Sequence, residues 1–422
     1  MREPINTREP ISTREPISTR EPIKWTPNTM PHFDGGLSLA NLLSREEIEK
    51  ARAFHRSIPG YLATPLAKLD HLAAHLGVRG IYVKDESRRF NLKSFKMLGA
   101  SYAVARYIAQ RLDTDIAELS YEDIVSPETR EKLGQITFYA ATDGNHGRAV
   151  AWAASRLGQK SVVCMPAGSS LARLENIRAE GAEAWITELN YDDAIRYVKQ
   201  LAERDENGVV IQDTTWPGYE DIPGWIMQGY CGMAEEADEQ LRLYGEDRPT
   251  HVFVQAGVGA LAGAVQGYYA NTYGEDCPIT TIVEASAADC VYRSALANER
   301  VRVEGEMNTM MAGLACGEVC SLSWDVLKAK ASFFVSAPDW VTARGMRVLA
   351  APLRGDESVV SGESGAVGLG LVSIVLTSPD YADFRAALKL DEHSVIMCFS
   401  TEGNTDPEAW RRIVWDGLCP SY

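Results

Sequence analysis

The sequence contains no apolar run of about 18 residues, so no membrane-spanning helix is expected. It does not open on an apolar leader of the signal-peptide kind, and a cytoplasmic protein is expected. Cysteine is sparse, eight among 422 residues, and no two stand in CxxC spacing. Reduced, buried thiols follow as the expectation, although spacing alone leaves open whether Cys290 and Cys316 bridge. Basic residues are short: 42 Lys and Arg face 58 Asp and Glu, a net charge of -16. That balance argues against a nucleic-acid partner and against an anionic membrane surface. It still admits an anionic small molecule, because a pocket can be lined with backbone N–H groups. His71 and His75 stand four apart on an expected helix, but no third ligand accompanies them, so no metal is expected.

What is present is a chain with 45% hydrophobic residues, enough for a large core and for more than one domain. Residues 2–23 repeat a six-residue Arg-Glu-Pro-Ile-Ser/Asn-Thr unit. A proline every sixth residue blocks helix and interrupts a strand ladder, so residues 1–24 are expected to be a disordered tail. The globular part begins near Lys24. Ser44-Arg45-Glu46-Glu47 has the pattern of a capping box opening a helix through Ala53. Thr64-Pro65-Leu66 leads into a helical pattern over Ala67–Leu76. Strands are expected at Ile81–Val83, Ile136–Ala140, Ser161–Met165, Ala184–Thr187, Val209–Gln212, His251–Gln255, Thr280–Glu284 and Val395–Ser400, most of them separated by helices. Such alternation indicates a doubly wound α/β architecture with mostly parallel sheets. Sites in that class form where strands end and helices begin.

Four such junctions carry chemistry. In Asn91-Leu92-Lys93-Ser94-Phe95-Lys96, Lys96 stands near the start of a helix through Ala105. A lysine there opposes the helix dipole. With burial, that field is expected to lower its pKa and favour the neutral amine that imine formation needs. Alone, the same lysine reads as a solvated surface charge. Ala141-Thr142-Asp143-Gly144-Asn145-His146-Gly147 follows a strand and opens a helix. Its exposed N–H groups suit a carboxylate, with Thr142, Gly144 and His146 as the candidates; an ordinary N-cap is the bland alternative. Gln255-Ala256-Gly257-Val258-Gly259-Ala260-Leu261-Ala262-Gly263 suits a phosphate. Its glycines run G-x-G-x-x-x-G, one residue longer than the dinucleotide fingerprint, and no Walker lysine follows, so an NAD-binding reading is disfavoured. Finally, Thr401-Glu402-Gly403-Asn404 ends a late strand, where a hydroxyl can reach into a crevice.

Taken in order, these junctions resemble the fold type II, or tryptophan-synthase-β-like, enzymes of pyridoxal 5′-phosphate (PLP). The match includes Thr64-Pro65-Leu66, Lys84-Asp85-Glu86 and Ser94-Phe95-Lys96 and spans roughly residues 60–405. More narrowly, Arg89 to Gly99, Ala141 to Arg148, Gln212-Asp213-Thr214-Thr215-Trp216 and Met311 to Gly317 resemble the diaminopropionate ammonia-lyases. The resemblance implies two doubly wound domains with the cofactor in the cleft between them: a large domain of residues 25–95 and 188–422 and a small one of residues 96–187. It implies a Schiff base on Lys96, with Phe95 against the ring. It implies Asn145 on the 3′-oxygen, backbone amides of Gly257, Val258, Gly259, Ala260 and Leu261 on the phosphate, and Thr401 on the ring nitrogen.

Many relatives carry Ser where this chain has Asp143. A carboxylate is the better base near neutral pH. Lys96 and Asp143 are therefore expected to take Cα protons from opposite faces, so that one site accepts both D- and L-2,3-diaminopropionate and yields pyruvate and ammonia. Asp213 is expected to bind the β-ammonium or assist its departure. The rival within the fold is a serine/threonine dehydratase, which needs no such acidic pocket. The rival of another class is a noncatalytic PLP or small-metabolite binding protein. Apart from its amino-acid substrate, the expected partner is a second copy of the chain in a homodimer.

Overall fold

The computed structural model describes residues 20–30 and 41–421. Most of the Arg-Glu-Pro-Ile repeat lies outside them. Its last isoleucine, Ile23, is buried, and its backbone N–H donates to the Tyr381 hydroxyl. The expected tail boundary at residue 24 therefore falls inside packed chain.

Among the described residues, eleven strands form two sheets. Strands β1 (Lys24–Pro27), β2 (Leu66–Lys68) and β3 (Gly80–Asp85) precede the small sheet. That sheet consists of β4 (Thr137–Ala141), β5 (Lys160–Met165), β6 (Glu183–Ile186) and β7 (Gly208–Val210). Then come β8 (His251–Gln255), β9 (Ile279–Ala285), β10 (Phe333–Ala337) and β11 (Val395–Ser400). The large sheet runs β1-β10-β9-β8-β11-β3-β2 and the small one β6-β5-β4-β7. All pairings are parallel except β1 with β10 and β2 with β3, at the two edges. Central strands of the large sheet such as β8, His-Val-Phe-Val-Gln, are buried along their length, because helices cover both faces of a parallel sheet.

Three differences from the sequence reading have local causes. The helix expected over Ala67–Leu76 begins only at Asp70; Leu66–Lys68 instead pair antiparallel with β3, whose edge would otherwise be bare. Strand β7 pairs with β4, so the small sheet continues past the domain boundary expected at residue 187. Of the capping box at Ser44, only one half forms: Ser44 Oγ accepts from the Glu47 N–H, while the Glu47 carboxylate takes Lys50 and Arg106.

The segment leading from β3 to Lys96 is held from beneath. Arg89 Nη2 lies 2.8 Å from carboxylate oxygens of both Glu86 and Glu236, and Lys84 Nζ lies 2.8 Å from Glu236. All four side chains are buried. Two cations balance two anions, the arrangement that buried charge requires. Above this cluster Phe90, Asn91 and Lys93 adopt positive φ (48°, 60° and 59°), a run of left-handed backbone that only firm anchoring sustains.

Candidate active site

Lys96 is the first residue of the helix Lys96–Arg111. The turn before it is stitched to the late turn after β11: the Phe95 N–H donates to the Thr401 carbonyl and the Gly403 N–H to the Lys93 carbonyl. Lys96 Nζ lies 2.5 Å from Asp213 Oδ2 and 5.3 and 5.6 Å from the ring centroids of Phe95 and Tyr230. Burial lowers the amine's pKa, but the Asp213 carboxylate, helped by Tyr230 and Asp143, leaves it above its ordinary value. The expectation of a lowered pKa is thereby overturned. A helix terminus is a fractional charge, and a full counter-ion in contact outweighs it. The same pair holds Asp213 below the usual carboxylate range despite its burial.

The asparagine loop faces this pair from the small sheet. Burial raises the Asp143 carboxyl, Arg173 opposes that rise, and Glu402 adds to it. Asn145 Nδ2 donates to Glu402 Oε2 at 2.5 Å, and the Ser364 N–H donates to the other oxygen of Glu402. His146 Nε2 lies 2.8 Å from the Ile211 carbonyl, so it carries the proton, and Nδ1 is left buried without a partner. Burial lowers the pKa of this ring.

One cavity gathers Phe95, Lys96, Asp143, Asn145, His146 and Asp213 with the loop Gly257, Val258, Gly259, Ala260 and Leu261 and with Thr401. Thr142 and Gly144 do not line it. The Thr142 N–H donates to the Cys164 carbonyl of β5 and the Gly144 N–H to Thr142 Oγ1, so both groups are already taken. Tyr191, Gln255, Ser364 and Glu402 line the cavity as well and were not singled out from sequence. Glu402 stands next to Thr401, and Ser364 lies in the small-residue run Ser361-Gly362-Glu363-Ser364-Gly365; both signals were there to read. Tyr191 has no motif around it. Cys316 also lines the cavity; Cys290 and Cys316 are both free thiols. Among the described residues, no group of three or more His, Cys, Asp or Glu is arranged to hold a metal, and no helix is long and apolar enough to cross a membrane.

The residues present fit a phosphorylated pyridine. Gly259 has φ 93°, and a Cβ there would meet Ser323 Oγ at 2.7 Å, so only glycine makes this turn. It caps the helix Ala260–Tyr273 without any side-chain bond, which leaves the positive helix end to an anion. Gln255 Nε2 donates to Thr401 Oγ1 at 2.6 Å, so the threonine's own hydrogen is available to an acceptor such as a ring nitrogen.

Comparison with known proteins agrees. The model of the family described as pyridoxal-phosphate dependent enzyme matches residues 58–396. A diaminopropionate ammonia-lyase of Salmonella typhimurium is 47% identical over 397 residues, covering 93% of this chain and 98% of that protein. The chain belongs to the diaminopropionate ammonia-lyases. The holo crystal structure of the Escherichia coli member superposes with a TM-score of 0.87 at 45% identity, over 94% of this chain and 98% of that one. A second Escherichia coli structure, in complex with an aminoacrylate-PLP azomethine reaction intermediate, gives 0.86 at 44% identity over the same shares. Family membership makes the chain a PLP-dependent lyase of fold type II, the fold and cofactor expected from the sequence.

Proposed function

We propose that this chain eliminates ammonia from both enantiomers of 2,3-diaminopropionate and releases pyruvate and a second ammonia. The observation that carries this reading is the convergence of two proton acceptors, Lys96 and Asp143, with a further carboxylate, Asp213, on one cavity. When bound, PLP supplies an electron sink that acidifies the Cα–H of an amine joined to it.

The chain's own residues do the rest. Lys96 accepts the Cα proton of one enantiomer and Asp143 that of the other. Asp213 already holds one ammonium group, that of Lys96, and suits the β-ammonium of the substrate equally. A β-ammonium keeps its three protons and leaves with the C–N bonding pair as neutral ammonia, while the electrons of the broken Cα–H bond form the Cα–Cβ double bond. Towards a substrate carboxylate the His146 ring has no hydrogen to offer, because its Nε2–H is taken by the Ile211 carbonyl. Backbone amides of Gly257, Val258, Gly259, Ala260 and Leu261 would hold the phosphate, the Asn145 side chain the 3′-oxygen, and Phe95 would wall the ring. Serine and threonine bring no second ammonium for Asp213 to hold. The family resemblance also supports a homodimer in the cytoplasm.

A coupled pyruvate assay on D- and L-diaminopropionate and on serine tests the reading. Both diaminopropionates should outpace serine, and Asp143→Asn should abolish turnover of one enantiomer selectively. Equal loss on both, or no preference over serine, would reject it.

A further inference from the structure

Asp143 does not stand alone. Arg173, on the helix Leu171–Ala179, is 5% exposed and places Nη1 at 3.1 Å from Asp143 Oδ2. Its Nη2 lies 3.5 Å from Glu363 Oε2. The arginine stem lies over the asparagine loop. A Cβ on Gly144, whose φ is 150°, would come within 2.9 Å of Arg173 Cδ, so this glycine makes room for that arginine. Glu363 comes from the segment before the helix Val367–Val375, and its backbone carbonyl is held by the Thr342 hydroxyl. One buried guanidinium thus joins the small-sheet loop that carries Asp143 to a carboxylate from the large-sheet side.

We propose that Arg173 is a positioning residue for Asp143: it aims the carboxylate into the cavity and, by sharing its charge with Glu363, keeps that carboxylate ionised while leaving it basic. The inference rests on reading Asp143 as the base for one enantiomer. A bidentate contact from Arg173 to Asp143 alone would make it a poor base, and no cation at all would leave it protonated. Glu363 is the counterweight between these extremes.

The electrostatics agree. Asp143 is faced by Arg173, Glu402 and Lys96, with Tyr191 and Cys316 close by. Glu363 is faced by Arg173, Glu402 and Asp406. Burial pushes Glu363 up to about 7 against the pull of Arg173. An ionised Glu363 draws on Arg173 through Nη2, so its charge sets the share of Arg173 that Asp143 feels.

The test is an initial-rate pH profile of the holoenzyme on each enantiomer, for wild type, Arg173→Gln, Glu363→Gln and Asp143→Asn. For the enantiomer that Asp143→Asn abolishes, Arg173→Gln should move the acid limb upward by about 1–2 pH units, since an opposite charge at contact is worth roughly that shift. Glu363→Gln should move it downward. The acid limb of the other enantiomer should stay in place for both variants. The same displacements should appear in the titration of the Asp143 carboxyl by 13C NMR, assigned by its loss in Asp143→Asn. Should Arg173→Gln fail to fold, the downward shift in Glu363→Gln carries the decision. Parallel loss on both enantiomers with no shift of the limb would overturn the proposal. Loss of enantiomer selectivity in Asp143→Asn itself would instead reject the two-base reading, and the NMR titration would then decide the role of Arg173 by itself.

Discussion

Replacing Asp213 by asparagine removes the counter-ion of Lys96, and the consequence for cofactor capture can be worked from the geometry. The two groups are 2.5 Å apart, with side chains 17% and 2% exposed, so solvent screens them little. A carboxylate at contact shifts an amine's pKa upward by roughly 1–3 units, equivalent to about 1.4–4 kcal/mol. Below its pKa, an amine's neutral fraction grows tenfold for each unit the pKa falls. At fixed pH, Asp213→Asn should therefore hold about 10–1000 times more neutral Lys96. Only the neutral amine attacks an aldehyde. Rapid mixing of cofactor-free protein with PLP, followed by absorbance across a pH series, reads this directly. The rate of capture should rise with pH in both proteins, with the variant's curve displaced to lower pH by about 1–3 units. Asp143 remains near the amine and keeps the displacement from being larger. Superimposable curves would refute the argument that Asp213 sets the state of Lys96.

Two further outcomes follow from the structure. Gly259→Ala forces an alanine to φ 93°, at about 1–2 kcal/mol, and drives its methyl against Ser323 Oγ; PLP affinity, measured by fluorescence titration, should fall at least about tenfold. His55 is fully buried, shares a hydrogen with the Leu98 carbonyl, and is pushed down to about 4 by burial. Its contribution to stability is complete above the unfolded pKa near 6.5 and is lost as pH falls toward the folded value, at a cost of about 2 kcal/mol between roughly pH 7 and pH 5. Urea unfolding at the two pH values should show that loss in wild type and a smaller one in His55→Gln.

Much of the site was legible because its residues cluster at strand ends, where short polar and glycine-rich motifs stand out against apolar strands. The loops at Lys96, Asn145, Gly257 and Thr401 were found in this way, and the structure brings them to one cavity. Interior strands such as β8 and β11 were legible for the same reason: burial on both faces writes a largely apolar run. What escaped has no local signature. Strand β1 is four residues with a proline at its end, and β10 stands where no strand was expected. Arg173 lies in the first turn of a short helix with no motif around it, and only the fold brings it over Gly144. Thr142 and Gly144 were chosen for their exposed N–H groups, yet a sharp turn uses such groups itself, which sequence does not reveal.

The misjudged pKa of Lys96 is the most instructive of these cases, because its correction bears on the mechanism. The helix terminus is a local feature, visible in sequence, and is worth about 0.3–1 kcal/mol. The Asp213 carboxylate is 117 residues away along the chain and wins by contact. An ammonium beside a carboxylate is also the arrangement Lys96 reaches once it has taken a Cα proton. Before that step, the same carboxylate is free to hold the substrate's β-ammonium. In the proposed elimination of the enantiomer that Lys96 deprotonates, a new cation would arrive on Lys96 as the β-nitrogen departs neutral, so one anion would serve two cations in turn and the charge of the buried site would stay balanced. Asp213 Oδ1 is buried without a hydrogen-bond partner, and under the proposed exchange this second oxygen would keep a place for the second ammonium. Asp213→Asn should then slow turnover of both enantiomers, in contrast to the selective loss expected of Asp143→Asn. Selective loss in Asp213→Asn as well would refute the exchange.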